Sequence, residues 1–236
     1  MKHENISTLI EGIECPETVY IIQEFVGEGG GGDMLEYMEA IDYTQAYKNS
    51  RYWFQPRVAL HIGKQIISAI NYLQDNRCIH RDLKPENIVM TKLLPDHWKK
   101  TTVKLVDFGC ARILKARQKG IIGPAGTPAY AAPEVYKNKL HSFPSDVWSV
   151  GVIFFYFWSG ELPVNLCEPD NPKFKRQLNL LHEGEFTTSG PDAEAIWSDI
   201  PQNMRELIGM CNKISPAARV TAKDALTCFN AATQGI

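Results

Sequence analysis

The stretch His80-Arg81-Asp82-Leu83-Lys84-Pro85-Glu86-Asn87 sets a carboxylate, a cation and an amide within six residues. Twenty residues after Asn87 comes Asp107-Phe108-Gly109. Further on are Gly126-Thr127-Pro128-Ala129-Tyr130-Ala131-Ala132-Pro133-Glu134 and Asp146-Val147-Trp148-Ser149-Val150-Gly151. The octet alone would arise by chance in well under roughly one in a million such chains. Asp82 and Lys84 stand two residues apart, so an extended loop can send both side chains the same way. Asn87 and Asp107 carry oxygen donors, the kind that hard divalent cations prefer.

Taken together, these motifs resemble the eukaryotic protein kinases, and Lys84 points to the Ser/Thr rather than the tyrosine class. The resemblance covers nearly the whole chain. It implies an α+β, protein-kinase-like fold and transfer of the γ-phosphate of ATP to Ser/Thr hydroxyls of protein substrates. Within it Asp82 accepts the proton of the substrate hydroxyl, Lys84 contacts the phosphate, and Asn87 and Asp107 hold Mg²⁺. Thr127 resembles the threonine that packs against the catalytic carboxylate. Glu134 and Arg219 resemble an ion pair tying the activation segment to the helical lobe. Asp146 heads an apolar segment, where a carboxylate can cap free amides; in the family this residue also braces the catalytic loop. Gly32-Asp33-Met34-Leu35-Glu36 and Gly126-Thr127-Pro128-Ala129-Tyr130 resemble the calcium/calmodulin-dependent group and its protein kinase D branch.

The glycine run Gly27-Glu28-Gly29-Gly30-Gly31-Gly32 satisfies G-x-G-x-x-G, a pattern with three readings. A dinucleotide fingerprint needs an acid about 20 residues on, yet no Asp or Glu occurs between Tyr43 and Gln74. A phosphate-covering kinase loop should lead into a strand resembling V-A-I-K, whereas Met34-Leu35-Glu36-Tyr37 follows. The favoured reading is the hinge between lobes, carried by Gln23-Glu24-Phe25-Val26. On that resemblance Glu24 and Val26 offer backbone groups to adenine and Asp33 reaches the ribose. Residues 1–26 are then a remnant of the kinase N-lobe, and 27–236 form the C-lobe. With the hinge so early, no residue supplies the phosphate-covering loop, the strand lysine or its helix glutamate. Activity of the chain in isolation is therefore in doubt. An incomplete gene model, a fragment or a natural pseudokinase would each account for this, and a scaffold that binds protein partners is the alternative function.

Composition narrows the rest. Hydrophobic residues make up 44% and charged residues 22%, as in a folded globular chain. Lys and Arg number 25 against 27 Asp and Glu, a net charge of −2, which argues against a broad basic face for nucleic acid or a membrane. The six cysteines (Cys15, Cys78, Cys110, Cys167, Cys211 and Cys228) form no Cys-x-x-Cys pair, so a reducing, cytoplasmic setting is expected. The greasiest stretch, Val150 to Trp158, falls short of the roughly 20 residues a bilayer requires.

Along the chain, Ile6 to Ile10 and Val19 to Val26 read as strands of a hairpin joined through Glu11 to Pro16. Met34 to Ala40 reads as a short helix and Asp42 to Arg51 as a loop. Pro56 suits a helix start, and Ile62, Ile66, Ala69, Ile70 and Leu73 mark one helical face. Asn87 to Met90 and Val103 to Val106 are short apolar runs around a polar insertion, Lys92 to Thr102. Val147 to Trp158 is apolar all round, so as a helix it is a buried pillar. From Phe174 on, helices and loops are expected.

The segment from Cys110 to Gly126 contains no Ser, Thr or Tyr, but it carries Arg112, Lys115, Arg117 and Lys119. The basic run is either a solvated face or a site for an acidic partner, whether regulatory or scaffolding; the oligomeric state is open. Phosphorylation switches such segments by pairing new phosphate charge with arginines such as Arg81. No acceptor precedes Thr127, so no switch of that kind is expected. Mass mapping after treatment with an upstream kinase checks this: phosphate on Thr127 or Tyr130 would contradict it.

Overall fold

A computed structural model describes residues 2–27, 31–42, 56–91, 99–159, 162–163, 197–198 and 200–233. The loop expected over Asp42 to Arg51 and most of the stretch after Phe174 lie outside these, apart from Asp42 and the C-terminal helices. Among the described residues the helices are α1 (Met34–Asp42), α2 (Pro56–Asp75), α3 (Pro133–Asn138), α4 (Phe143–Ser159), α5 (Gln202–Cys211) and α6 (Ala222–Thr233).

α2 begins at Pro56, whose fixed φ suits a first turn and whose missing N–H costs nothing there. Ile62, Ile66, Ala69, Ile70 and Leu73, its expected inner face, are all buried. The helix ends where Asn76 and Arg77 donate back to Tyr72, Leu73 and Gln74 carbonyls, with Arg77 in the left-handed region at φ 57. α4 is the pillar that its unbroken apolar run demands, buried from Ser145 to Phe155 and again at Phe157 and Trp158. α2 and α4 pack on each other, α2 also on α6, and α4 also on α5. Each Phe or Ile buried there contributes about 1.5–3 kcal/mol over leaving it exposed.

The strands are short. β1 (Leu9–Cys15) and β2 (Thr18–Gln23) form the antiparallel hairpin, turning at Pro16-Glu17. The hairpin's first strand starts later than the sequence suggests: Glu11 to Cys15 belong to β1 and not to the connection. The cause is exposure: both strands are solvent-facing almost throughout, so no inward face imposes the alternation that would have marked the register. Asn5 to Ser7 instead pair alongside β5 (Val103–Leu105), with Ser7 N donating to Leu105 O and Leu105 N to Asn5 O, both at 2.9 Å. Buried Ile6 fills the gap beneath.

β5 also pairs antiparallel with β4 (Ile88–Met90), and Gly32-Asp33 completes β4's other edge through an Asp33–Val89 bridge and a Met90 N to Gly32 O bond. Two distant parts of the N-terminal region are thereby laced to one hairpin. Gln65 of α2 finishes the lacing: its Oε1 accepts from Asn5 Nδ2 (2.8 Å) and Val103 N (3.0 Å). Two further antiparallel pairs lie below, β3 (Cys78–Ile79) with β6 (Arg112–Ile113) and β7 (Ile121–Ile122) with β8 (Leu140–His141).

Glu134 and Arg219 meet as the sequence suggests. Arg219 Nη1 and Nη2 donate to the two carboxylate oxygens at 2.6 Å each, and the remaining donors reach Lys213, Pro144 and Ile214 carbonyls. All five N–H groups are used, and the guanidinium lies 5.0 Å from the Trp148 ring centroid. With Arg219's side chain fully buried, Arg219→Ala strands a carboxylate and should cost about 3–5 kcal/mol of unfolding free energy in a urea titration. A loss below about 1 kcal/mol, the range of exposed pairs, would contradict it.

Candidate active site

The site is built from two passages of chain, the first held against α4 and the second tied to the first. The first runs from β3 through Asp82 to a short 3₁₀ turn, Pro85–Asn87. Asp146, in the first turn of α4 and fully buried, accepts from His80 N at 2.7 Å and from Arg81 N at 3.0 Å. The carboxylate thus braces this passage, and the expected cap on α4's own amides is not what it makes. Ser145 Oγ instead accepts from the N–H of Ser142, just ahead of the helix, at 3.0 Å and donates to Ser142 O at 2.7 Å. Arg81 is driven to φ 74, and its carbonyl lies where a side chain on Gly126 (φ 87) would have to sit. Only glycine allows that approach, which brings Thr127 onto Asp82.

Thr127 Oγ1 donates to Asp82 Oδ1 at 2.8 Å, and Asn87 Nδ2 donates to Asp82 O at 2.8 Å. Lys84 Nζ stands 3.8 Å from Asp82 Oδ2 and 3.9 Å from Glu86 Oε1. The second passage leaves β5 at Val106, whose N–H donates to Asn87 O at 3.0 Å, so Asp107 follows directly beside Asn87. Asp107 adopts φ 54 and accepts from Gly109 N at 3.1 Å, a tight turn that the glycine permits. Five of the expected residues, Asp82, Lys84, Asn87, Asp107 and Thr127, therefore share one locality.

His80 joins the two passages, a role that its place in the octet did not reveal. It is fully buried, lies near Val106 O (Nε2, 3.2 Å), and its ring centroid is 5.0 Å from that of Phe108. Burial holds its pKa below the ordinary value, against the pull of the Val106 carbonyl and of Asp82 and Asp107. A neutral ring must then carry its proton on Nε2, facing the carbonyl.

Glu24 and Asp33 lie against the β4–β5 hairpin, beside Lys104 and Val89; Val26 follows Glu24 in the chain. Glu24 N donates to Thr8 O (2.9 Å), and its carboxylate takes Thr8 N (2.6 Å) and Lys104 Nζ (2.7 Å). The Lys104 bond holds that carboxyl below its ordinary range. Asp33 Oδ1 accepts from Glu36 N at 2.9 Å, so the expected ribose ligand also caps α1. Of the glycine run, Gly31 lies so close to Met90's carbonyl that no side chain fits there. Asn87 and Asp107 are the oxygen donors suited to Mg²⁺: Asn87's amide nitrogen is committed to Asp82, which leaves its oxygen for a cation. A cation held by two protein groups, with phosphates and water completing the shell, is the usual arrangement for Mg²⁺.

Residues 1–228 match the protein kinase domain family. The chain belongs to the protein kinase family. Three relatives are serine/threonine or calcium/calmodulin-dependent kinases by name. The probable serine/threonine-protein kinase fhkD of Dictyostelium discoideum is 30% identical over 238 residues, covering 96% of this chain and 29% of that protein. The calcium/calmodulin-dependent protein kinase type II subunit delta of Oryctolagus cuniculus is 31% identical over 226 residues, 96% of this chain and 38% of the relative. The probable serine/threonine-protein kinase HSL1 of Saccharomyces cerevisiae is 30% identical over 227 residues, 96% and 13%. The kinase chain thus spans less than two-fifths of the length of each.

Arg77 escaped the sequence reading altogether. Its guanidinium donates to the carbonyls of Leu114 (3.1 Å), Lys115 (2.6 Å) and Gln118 (3.0 Å), and its own carbonyl accepts from Leu114 N. No pattern announces a side chain that recognises only backbone.

Burial pushes the Asp146 carboxyl up to about 6 from an ordinary 3.8, against its two amide bonds. Between those values the native kinase holds a proton that the unfolded chain has released, so rising pH removes stability, about 3 kcal/mol in all. Asp146→Asn does not titrate. Urea titrations near pH 4 and pH 7.5 should show wild type losing stability relative to the variant by roughly that amount. A difference that is constant, or that moves the other way, would contradict the assignment.

Proposed function

We propose that this chain acts as a protein serine/threonine kinase, with ATP as phosphoryl donor and protein hydroxyls as acceptors. The observation that carries the reading is the carboxylate of Asp82, fixed by Thr127 at 2.8 Å with Lys84 3.8 Å away and Asn87 bonded beneath. A carboxylate held this way is positioned to orient an alcohol and take its proton. Lys84 offsets charge gathering on the transferred phosphoryl group. Asn87 and Asp107 are the residues that would hold Mg²⁺, which would supply positive charge to offset that of the phosphates. A hollow of about 240 Å³, lined by Gly123 to Gly126, Pro128, Val135, Tyr136 and His141, lies beside Thr127 and has room for a substrate residue next to the acceptor.

On the nucleotide side, Glu24's amide and carboxylate are engaged, leaving its carbonyl, with Val26's backbone, to meet adenine. Asp33 retains Oδ2 for a ribose hydroxyl. Residues 1–26 belong to the N-lobe side of this cleft and 27–236 to the C-lobe. The five described cysteines are free thiols, which supports work in the reducing cytoplasm. No helix among the described residues is long and apolar enough to cross a membrane.

A second reading has its own support. Leu9, Ile10, Ile13 and Val19 to Ile22 are exposed on the hairpin, and Phe25 just beyond it. On it the chain is a pseudokinase or scaffold that binds protein partners and transfers nothing. Phosphate transfer from ATP to a protein substrate, measured for the chain and for Asp82→Asn, separates the two. Loss of about 10²–10⁴-fold in the variant is expected; equal rates would remove the enzyme reading.

A further inference from the structure

Between Phe108 and Ser145 the sequence holds a single carboxylate, Glu134, and it is buried against Arg219. The same stretch exposes Arg112, Lys115, Arg117, Lys119 and Lys139. Among the described residues none of these five cations forms a salt bridge. A chain whose net charge is −2 thus concentrates unpaired positive charge on one surface.

That surface is held in shape by contacts made to its backbone carbonyls and amides rather than to its cations. Arg77 binds the carbonyls of Leu114, Lys115 and Gln118. Gln118 closes the turn, its Oε1 accepting from Lys115 N and its Nε2 donating to Gly120 O. Arg81 reaches the carbonyls of Cys110 (3.2 Å) and Gly123 (3.5 Å), joining the two ends of the segment. β6 is paired to β3, and β7 to β8, which brings Lys139 alongside Gly123. Charges on a backbone already ordered lose less entropy when a ligand arrives.

The place of the strip matters as much as its sign. Arg112 lies near enough to Arg81, the neighbour of Asp82, for its charge to depress the Arg81 pKa, alongside the larger effect of burial. Lys139 lines the hollow next to Thr127. A polypeptide offering its hydroxyl to Asp82 therefore lies within reach of cations on either hand. We propose that this strip is a docking surface for an acidic segment of the protein substrate, Asp- and Glu-rich, flanking the phosphorylated residue. The proposal rests on the kinase reading for the word substrate, and on the charge distribution for the docking itself. A nucleic acid is the weaker fit, because phosphate binding draws on a broad basic face and the chain as a whole is slightly acidic.

The test uses the full chain and fluorescein-labelled peptides carrying one Ser flanked by Glu, by Gln or by Lys, with binding read by anisotropy. At low ionic strength the Glu peptide should bind about tenfold more tightly than the Gln peptide, since exposed ion pairs are individually weak but several act together. The advantage should fade with added salt and vanish in Lys115→Gln/Arg117→Gln/Lys119→Gln. It should pass to the Lys peptide in Lys115→Glu/Arg117→Glu/Lys119→Glu, a gain that a misfolded chain does not show. Lys223→Gln, an exposed cation on α6, is the control and should change nothing. Equal affinity for the Glu and Gln peptides would overturn the proposal, as would tighter competition by a single-stranded oligonucleotide or by phosphatidylserine vesicles. Phosphate transfer to the Glu peptide is scored separately. Binding preference without transfer removes the kinase reading and leaves the docking surface, while transfer without preference does the reverse.

Discussion

A carboxylate removed from water must be held by donors, and Asp146 is held by the amide nitrogens of His80 and Arg81. It sits in the first turn of α4, and α4 is fixed because nearly every side chain along it is buried. The position of Asp82, one residue beyond Arg81, is therefore inherited from the packing of the helical core. Arg81's left-handed φ of 74 is the local cost of that arrangement, on the order of 1 kcal/mol or more. It persists because the brace on one side and the glycine at 126 on the other leave the chain no easier path.

The second passage is tied to the first by different forces. The Val106–Asn87 backbone bond continues the β4–β5 ladder into the site, so Asn87 and Asp107 arrive together as a consequence of strand register. His80 then packs on Phe108 and sits against the Val106 carbonyl with an uncharged ring. A charged imidazole there would have to be desolvated completely, which burial opposes. Hydrogen-bond register places Asn87 and Asp107 side by side, and the packing of His80 on Phe108 holds the turn that follows Asp107.

Much of this was legible because it is periodic or motif-bound. The face of α2, the pillar of α4 and the paired runs around the polar insertion could be read, since each buries a face and burial leaves a pattern. The β1–β2 hairpin shows the converse: Leu9 and Ile10 are solvent-exposed, so nothing fixed the strand's start. Asp146 was legible as an acid at a helix start, with a cap from the residues and a brace from the resemblance as its two readings, and the packing of α4 selects the brace. The same holds for Glu24, whose side chain turns out to be bound by Lys104, 80 residues away. Arg77 left no trace at all, because backbone carbonyls have no sequence.

Arg77 and Arg81 bear on how the segment between Asp107 and Thr127 keeps its form. An arginine waiting for a phosphate needs its fork free, yet Arg81 has given both terminal nitrogens to carbonyls at the two ends of that segment. Arg77 adds three more carbonyl contacts in the middle. Backbone acceptors are present in every state of the protein, so this ordering does not depend on modification. The cations displayed along the same segment are then spared the work of binding phosphate in cis. Their charge is left facing outward, where among the described residues neither burial nor an ion-pair partner accounts for it, and an external acid is the chemistry that would.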